Sequence, residues 1–387
     1  MKKRIAVLGA TGSIGRSALD VIRADKEHFE PVLFSANSNA DALFELATEF
    51  SSAKIAFSGQ LGTDRLEFFG VDRRRVYSGY NGLLAAIDDA GAELTLNGIS
   101  GAAGLRPSLA ALEAGSALAL ANKESMVMAG RLVLETAAIR SLPVIPVDSE
   151  HSAVFNLLRF RDKNALKEIL LTASGGPFRM WNADRLKKAR PEDALAHPTW
   201  NMGAKITIDS ASLANKGLEV IEAARLFSVE ADRIKVVVHP QSIVHSMVRM
   251  ADGAVYAQLS WPDMRLPIHE ALHYPDMARS AWGVLDFEGL NLTFEKPDFE
   301  RFPMLGMAYH ALRAGERYTI AYNAANEYAV DAFLGGKIGF TDISVLCGRV
   351  LNKEWGGEAS DLQAIMDTDR LARESAAALV KGLERQV

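Results

Sequence analysis

RIAVLGATGSIG, Arg4 to Gly15, is the stretch whose reading decides how the first part of this chain folds. A short β-branched and apolar run breaks on Gly9, and glycine recurs at Gly12 and Gly15. From Ser17 to Arg23 the apolar residues Ala18, Val21 and Ile22 take helical spacing, so the stretch reads as strand, tight turn and helix. Glycines at such a corner let the backbone approach a pyrophosphate, and the helix N-terminus offers unpaired N–H groups and a partial positive charge. The spacing is G-x-x-G-x-x-G rather than G-x-G-x-x-G. Because any strand-to-helix corner can use a glycine turn, the surrounding pattern has to carry the assignment.

That pattern continues outward. PVLFSANSN (Pro31 to Asn39) is a second strand, ending in Asn37, Ser38 and Asn39 where a dinucleotide fold places an acid on the adenosine ribose. With no acid to repel a 2′-phosphate, and amide and hydroxyl donors to hold one, NADP is favoured over NAD. KIAFSG (Lys54 to Gly59), AELTLNGISGAAG (Ala92 to Gly104) before the helix LRPSLAALEAG, and ALALANKES (Ala117 to Ser125) are further strand units. The alternation over about 150 residues predicts an α/β, doubly wound, Rossmann-type parallel sheet, with ligands beyond the carboxyl ends of its strands. Asn122, Lys123 and Glu124 stand at such an end. They suit a binding site, and equally an Asn N-cap with charges in the first turn.

VIPVDSEH, Val144 to His151, closes the series. Val144, Ile145 and Val147 read as a buried strand, and Asp148 and Glu150 point the same way if the backbone stays extended. Two carboxylates in one small space raise each other's pKa unless a cation lies between them, and hard oxygen ligands suit a divalent ion. The alternative is a solvated strand end followed by a helix that Ser149 caps.

Past His151 the alternation stops. KEILLTASGGPF (Lys167 to Phe178) is a strand ending in Ser174-Gly175-Gly176, which is able to hold an anion or simply to turn. HPTWNMGAK (His197 to Lys205) has no period and carries Trp200 and Met202, as a lid does, or as a loop docked on the core does. KITIDSASLANKGLEVIEAARLF (Lys205 to Phe227) reads as a strand through Ser210 and then a helix beginning near Asn215. On that helix Asn215 and Glu219 share a face, Lys216 and Asn215 lie at the anion-favouring start, and Glu219 supplies a third carboxylate. A surface helix with an exposed Glu is the competing reading. His151 and His245 read as buried, satisfied histidines. Residues 286–301 form a polar connection, and four helical patterns after it suggest a small bundle.

Composition bounds the rest. At 387 residues, 49% apolar and 24% charged, the chain reads as two or three globular domains. A net charge of −5, with no basic cluster longer than Arg73-Arg74-Arg75, argues against nucleic acid as a partner. One cysteine, Cys347, gives neither a disulfide framework nor a thiolate metal site, as expected of a reducing compartment. No apolar run reaches membrane-span length and the apolar start is too short for a secretory signal, so the expected location is cytoplasmic, with no membrane association. The expected organisation is a dinucleotide (NADPH)-binding domain at 1–150, a catalytic α+β domain at 151–285 with a flap near 197–204, a linker at 286–301, and a C-terminal helical domain at 302–387.

Taken in order, GATGSIG, NGISGAAG, LANKES, PVDSEHSAVF, TASGGPF, HPTWNMGAKITIDSASLANKGLEVIEA, HPQSIVHSMV and WPDMR resemble the 1-deoxy-D-xylulose 5-phosphate reductoisomerases over nearly the whole chain. The resemblance implies NADPH, Mg²⁺ or Mn²⁺, a homodimer, and conversion of the phosphosugar 1-deoxy-D-xylulose 5-phosphate to 2-C-methyl-D-erythritol 4-phosphate in the non-mevalonate isoprenoid pathway. It implies metal ligation by Asp148, Glu150 and Glu219, in agreement with the reading of those acids. It implies substrate contacts from Lys123, Ser149, Ser174, His197, Ser210, Asn215 and Lys216, and cofactor contacts from Thr11, Gly12, Ser13, Ile14, Asn39, Asn122, Glu124 and Gly203. Lys123 would assist proton or charge movement, and Trp200 would belong to the closing flap. The sequence departs from many members in placing Asn37-Ser38 where a basic residue meets the 2′-phosphate. Two rivals stand beside this reading. A semialdehyde dehydrogenase opens with a similar glycine turn but needs a nucleophilic cysteine, and Cys347 lies in the terminal helical region. A non-catalytic NADP sensor has no use for three converging carboxylates.

Overall fold

A computed structural model of the chain describes residues 1–59, 70–196, 199, 200 and 202–384. They divide into two compact units, the first made of 1–125, 133–152 and 263–283, the second of 126–132, 153–262 and 284–387.

The first unit is built on seven strands: β1 (Lys3–Leu8), β2 (Phe29–Ala36), β3 (Lys54–Phe57), β4 (Val76–Ser78), β5 (Leu94–Asn97), β6 (Ala117–Leu120) and β7 (Val144–Pro146). All pair in parallel, in the order β4-β3-β2-β1-β5-β6-β7. Parallel strands with helices on both faces are buried on both sides, which is why Ile5, Val7 and Leu8 are all fully buried. The helix Ser13–Ala24 turns Ala18, Leu19, Val21 and Ile22 to the sheet. The chain runs outward from β1 to β4 and then returns to lay β5 on the other side of β1, so the switch of direction falls between β1 and β5. Ligands of such sheets bind at that crevice. The later helix Arg265–His273 joins the same unit and packs on helix Ser13–Ala24. Lys3 Nζ donates to the carbonyls of Leu272 and Tyr274 at 2.8 and 2.7 Å, and Asp25 binds His273 at 2.9 Å.

The second unit carries a mixed sheet of β8 (Leu166–Ala173), β9 (Ile234–Val238), β10 (Val244–Met250) and β11 (Val255–Leu259), ordered β11-β10-β8-β9 with only β8 and β9 parallel. Four C-terminal helices, Met304–Ala314, Glu316–Leu334, Phe340–Leu351 and Leu362–Glu384, share one apolar core with the helix Ala214–Leu226. Phe178 sits edge-on to Phe340 at 4.7 Å in that core. The polar connection 286–301 is anchored by paired hydrogen bonds of Glu295 with Val238 at the edge of β9. Arg225, on helix Ala214–Leu226, is half-buried and donates to the carbonyls of Met126 and Val127 and to Thr319 Oγ1. Burial pushes its pKa down to about 10.

Two expectations need correction. Lys205 to Ser210, expected as a strand from its β-branched Ile206-Thr207-Ile208, is a helix, Ala204–Ala211. Propensity loses to packing here, because Thr207, Ile208 and Ala211 form a helical stripe in the core, and Thr207 Oγ1 donates to the Gly203 carbonyl at 2.8 Å. The chain past β7 is also not extended: a helix runs from Ser149 to Arg159. Asp148, rather than Ser149, caps it, accepting the Glu150 N–H at 3.2 Å on Oδ1 while its carbonyl accepts the Ser152 N–H at 2.8 Å.

Candidate active site

In the first unit the glycine turn lies at the crevice. Gly9 has φ +77°, and a Cβ there would stand 2.9 Å from the Gly98 carbonyl oxygen, so glycine is what lets the turns after β1 and β5 meet. A Cβ on Gly15 would lie 2.4 Å from Ala10 Cα, so Gly15 sets the close approach of helix to turn. Gly12 is the N-cap, no side chain occupies the cap, and the first turn holds no acid. The positive end of the helix is therefore left for an outside anion. Thr11, Gly12, Ser13 and Ile14 surround this end, with Ile14 against Gly98. At the end of β2, Asn37, Ser38 and Asn39 are exposed. Asn39 also caps the helix Ala40–Glu49 through Ala42 N–H, and Asn37 accepts from Ser58 Oγ at 3.1 Å.

Asn122 is buried and caps the helix Lys123–Ile139, accepting the Ser125 N–H at 3.0 Å. Its amide donates to the carbonyls of Ile99 and Gly101 at 2.7 and 2.9 Å and to Glu124 at 2.9 Å, so it fastens the NGISG loop to the start of this helix. Asn97 fixes the same loop from the other side: its amide donates to Gly104 O and its oxygen accepts the Ile99 N–H. Sequence reasoning passed over Asn97; a polar side chain at the end of the apolar run LTLN was the available signal. Lys123 Nζ binds Asp148 Oδ2 at 2.8 Å with both groups largely out of solvent, and Ser149 Oγ donates to Glu150 Oε2 at 2.9 Å. Lys123, Asp148 and Glu150 thus add one ammonium and two carboxylates to the Glu124 carboxylate held by Asn122.

In the second unit β8 is followed by Ser174, whose Oγ accepts the Gly176 N–H at 3.2 Å. Gly175 and Gly176 have φ +82° and +67°, and a Cβ on Gly176 would stand 2.6 Å from the Ser210 carbonyl oxygen. The double glycine brings the Ser174 turn against Ser210 at the end of helix Ala204–Ala211. Leu213, at φ +62°, then turns the chain into helix Ala214–Leu226. There Asn215 Nδ2 donates to Glu219 Oε1 at 2.6 Å and Lys216 Nζ pairs with Glu219 Oε2. The expected shared face is therefore a bonded one, and Glu219 is wholly buried rather than a surface acid. Trp200 stands edge-on to His245 at 6.2 Å, and Gly203 caps helix Ala204–Ala211. His197, with 198 and 201 of the expected flap, lies outside the described residues.

The donor chemistry is consistent throughout. Asp148, Glu150 and Glu219 offer hard carboxylate oxygens and no thiolate, which suits Mg²⁺ or Mn²⁺ rather than a soft metal. Cys347 is buried in the C-terminal helices, where burial pushes its thiol pKa up, so it is no nucleophile. That removes the dehydrogenase rival.

Models of the 1-deoxy-D-xylulose 5-phosphate reductoisomerase family match residues 5–130, and those of its C-terminal domains match 144–227 and 259–375. A 1-deoxy-D-xylulose 5-phosphate reductoisomerase of Chlorobaculum tepidum is 46% identical over 382 residues, 98% of this chain and 100% of that protein. The solved structure of the enzyme of that name from Zymomonas mobilis with NADPH superposes with a TM-score of 0.90 at 38% identity, covering 98% of this chain and 99% of that one. A DOX-P reductoisomerase in complex with NADPH, fosmidomycin and magnesium gives 0.91 at 39% identity, over 99% of both chains. The matched segments together span nearly the whole chain, the relatives are of the same length, and this chain belongs to the 1-deoxy-D-xylulose 5-phosphate reductoisomerase family.

Proposed function

We infer that this chain catalyses the NADPH- and divalent-metal-dependent isomerisation and reduction of 1-deoxy-D-xylulose 5-phosphate to 2-C-methyl-D-erythritol 4-phosphate, a step of the non-mevalonate isoprenoid pathway. The observation that carries this is the full-length likeness to reductoisomerases, joined to a glycine-capped helix start and a set of carboxylates fitted to a hard cation. Residues 1–150 bind the cofactor and contribute Lys123, Asp148 and Glu150 to the chemistry, 151–285 carry the rest of it, and 302–387 back the catalytic segment.

The pyrophosphate of NADPH rests on the open start of helix Ser13–Ala24, with Thr11, Gly12, Ser13 and Ile14 around it. Asn37 and Asn39 meet the 2′-phosphate side, and Asn122, Glu124 and Gly203 line the rest. Asp148, Glu150 and Glu219 hold one Mg²⁺ or Mn²⁺, each through a carboxylate oxygen. A cation held there supplies Lewis acidity to the substrate's ketone and neighbouring hydroxyl oxygens, and NADPH supplies the hydride. Ser174, Ser210, Asn215 and Lys216 hold the phosphate end, with His197, and Ser149 holds the sugar hydroxyls. The phosphate is remote from the carbons whose bond breaks and reforms, so its binding energy can be spent on closing the flap that carries Trp200 and expelling water. Lys123, paired with Asp148, is placed to carry a proton or compensate charge as the ketone oxygen gains it.

The chain acts as a cytoplasmic homodimer. A reducing compartment agrees with its single, buried cysteine. For the dimer the support is β11, a terminal strand of its sheet with Val255 and Tyr256 exposed, an edge that a second copy can extend. Incubating the protein with NADPH, Mg²⁺ and 1-deoxy-D-xylulose 5-phosphate should lower the nicotinamide absorbance, and EDTA should stop it. Binding of NADPH without consumption would instead favour the sensor. Sedimentation should give twice the chain mass.

A further inference from the structure

Helix Ala204–Ala211 connects the flap to the phosphate-holding residues: Gly203 caps its start and Ser210 stands at its end. Between them Asp209 points into the core and is 1% exposed. Its Oδ1 accepts from Asn326 Nδ2 at 2.7 Å, and its Oδ2 pairs with Lys205 Nζ, one turn earlier, at 2.9 Å. Asn326 lies on helix Glu316–Leu334 and is itself fully buried. The charge is felt well inside the apolar core: burial and then Asp209 push the Cys347 thiol up, and burial, then Cys347, then Asp209 push the Tyr322 hydroxyl up.

Burying an ionised carboxylate is a poor way to gain stability, because desolvation offsets the Coulombic attraction. Its better-attested use is to select one register among several packings that apolar groups alone would tolerate. Here the register matters at both ends of the helix. Its rotation decides where Ser210 stands against the Gly176 turn, whose backbone approach leaves no room for a Cβ, and where Lys205 stands beside the flap residue Gly203.

We propose that Asp209 is a positioning residue: held between Lys205 and Asn326, it fixes the rotation of helix Ala204–Ala211 so that Ser210 and the flap base meet the substrate's phosphate end. This rests on the reading of Ser210 given above. It gives the C-terminal helices a part in substrate binding through Asn326.

The test is steady-state kinetics of the full-length protein. Asp209→Asn keeps the shape and the bond to Asn326 but sets an amide against Lys205. It should raise KM for 1-deoxy-D-xylulose 5-phosphate on the order of tenfold while kcat and the KM for NADPH stay within about twofold, a displacement rather than a loss of chemistry. A purely structural role would lower the folded fraction and kcat and leave both KM values unchanged, and that result overturns the proposal. Should Asp209→Asn fail to fold, Lys205→Gln opens the same pair from its solvent end. It should raise the substrate KM alone, with Lys205→Arg restoring it; an unchanged KM in Lys205→Gln refutes the assignment. If the reading of the reaction itself is wrong, the unmodified protein will not turn over this substrate at all, so the two failures are distinguishable.

Discussion

Asp148 and Glu219 are both acids partnered by a lysine, yet they are held in unlike ways. Asp148 stands between a strand and a helix, with backbone work of its own: it caps the helix Ser149–Arg159 and retains some exposure. Glu219 lies inside a helix, wholly buried, and its carboxylate is met by the side chains of Asn215 and Lys216. An acid at a helix start is stabilised by geometry that many sequences supply. A buried acid in mid-helix is costly and persists only where specific partners compensate it. Glu219 is thus the more committed of the two.

Glu219→Gln should break this contrast most severely. Water cannot reach a wholly buried position to replace a lost ligand, so kcat should fall on the order of a thousandfold while NADPH affinity is retained. Activity assays beside a cofactor titration check both. Should Glu219→Gln keep a tenth or more of the activity, the metal assignment is wrong. Asp148→Asn should cost less, on the order of a hundredfold, because Asp148 retains some exposure, which lets water take up the vacated coordination position, and asparagine caps as well as aspartate does. Both Asp148→Asn and Asp148→Ala take the partner carboxylate from Lys123 and should unfold at lower temperature, and Asp148→Ala should lose about 1 kcal/mol more with the cap. Equal losses of activity in Glu219→Gln and Asp148→Asn would remove the distinction drawn here.

Gly15→Ala tests the cofactor end. The new methyl would stand 2.4 Å from the Gly9 carbonyl oxygen and Ala10 Cα, backbone atoms that cannot step aside. We expect a loss of about 1–3 kcal/mol from overpacking, with weaker NADPH binding, read by denaturant titration and fluorescence. Unchanged NADPH affinity would show that the turn's close packing does not shape the cofactor cradle.

The smallest effect concerns Asp25, at the end of the helix Ser13–Ala24. Burial raises its pKa, but hydrogen bonds with His28 and His273 outweigh that and leave it below its ordinary value of 3.8. A carboxylate depressed in the folded state stabilises it above the unfolded pKa, and that contribution is lost as pH falls below about 3.8 through the folded value. Asp25→Asn should therefore melt slightly lower than the parent at pH 7, with the gap closing toward pH 3. A gap that widens on acidification refutes the sign.

Much of the first unit was legible because parallel strands are bounded by glycine turns and carry continuous apolar runs, signals that survive without tertiary context. β4 was missed, since its three residues, Val76 to Ser78, are too few to show a period. The helix Ala204–Ala211 was read as a strand for a different reason. Ile206, Thr207 and Ile208 favour strands locally, and only the core they enter overrides them. Asp209 was invisible for the same reason, as nothing in its neighbours announces a partner on a helix more than a hundred residues away.

From residue order alone came the glycine-capped anion site, the candidate acids and the likeness to reductoisomerases, because each depends on short-range spacing and on residue chemistry. Tertiary structure alone decided that Asp148 is a cap, that Glu219 is buried, that Lys205 to Ser210 coil, and that Asn326 reaches Asp209. Burial and long-range partnership are properties of what surrounds a side chain, and the surroundings exist only once the chain has packed.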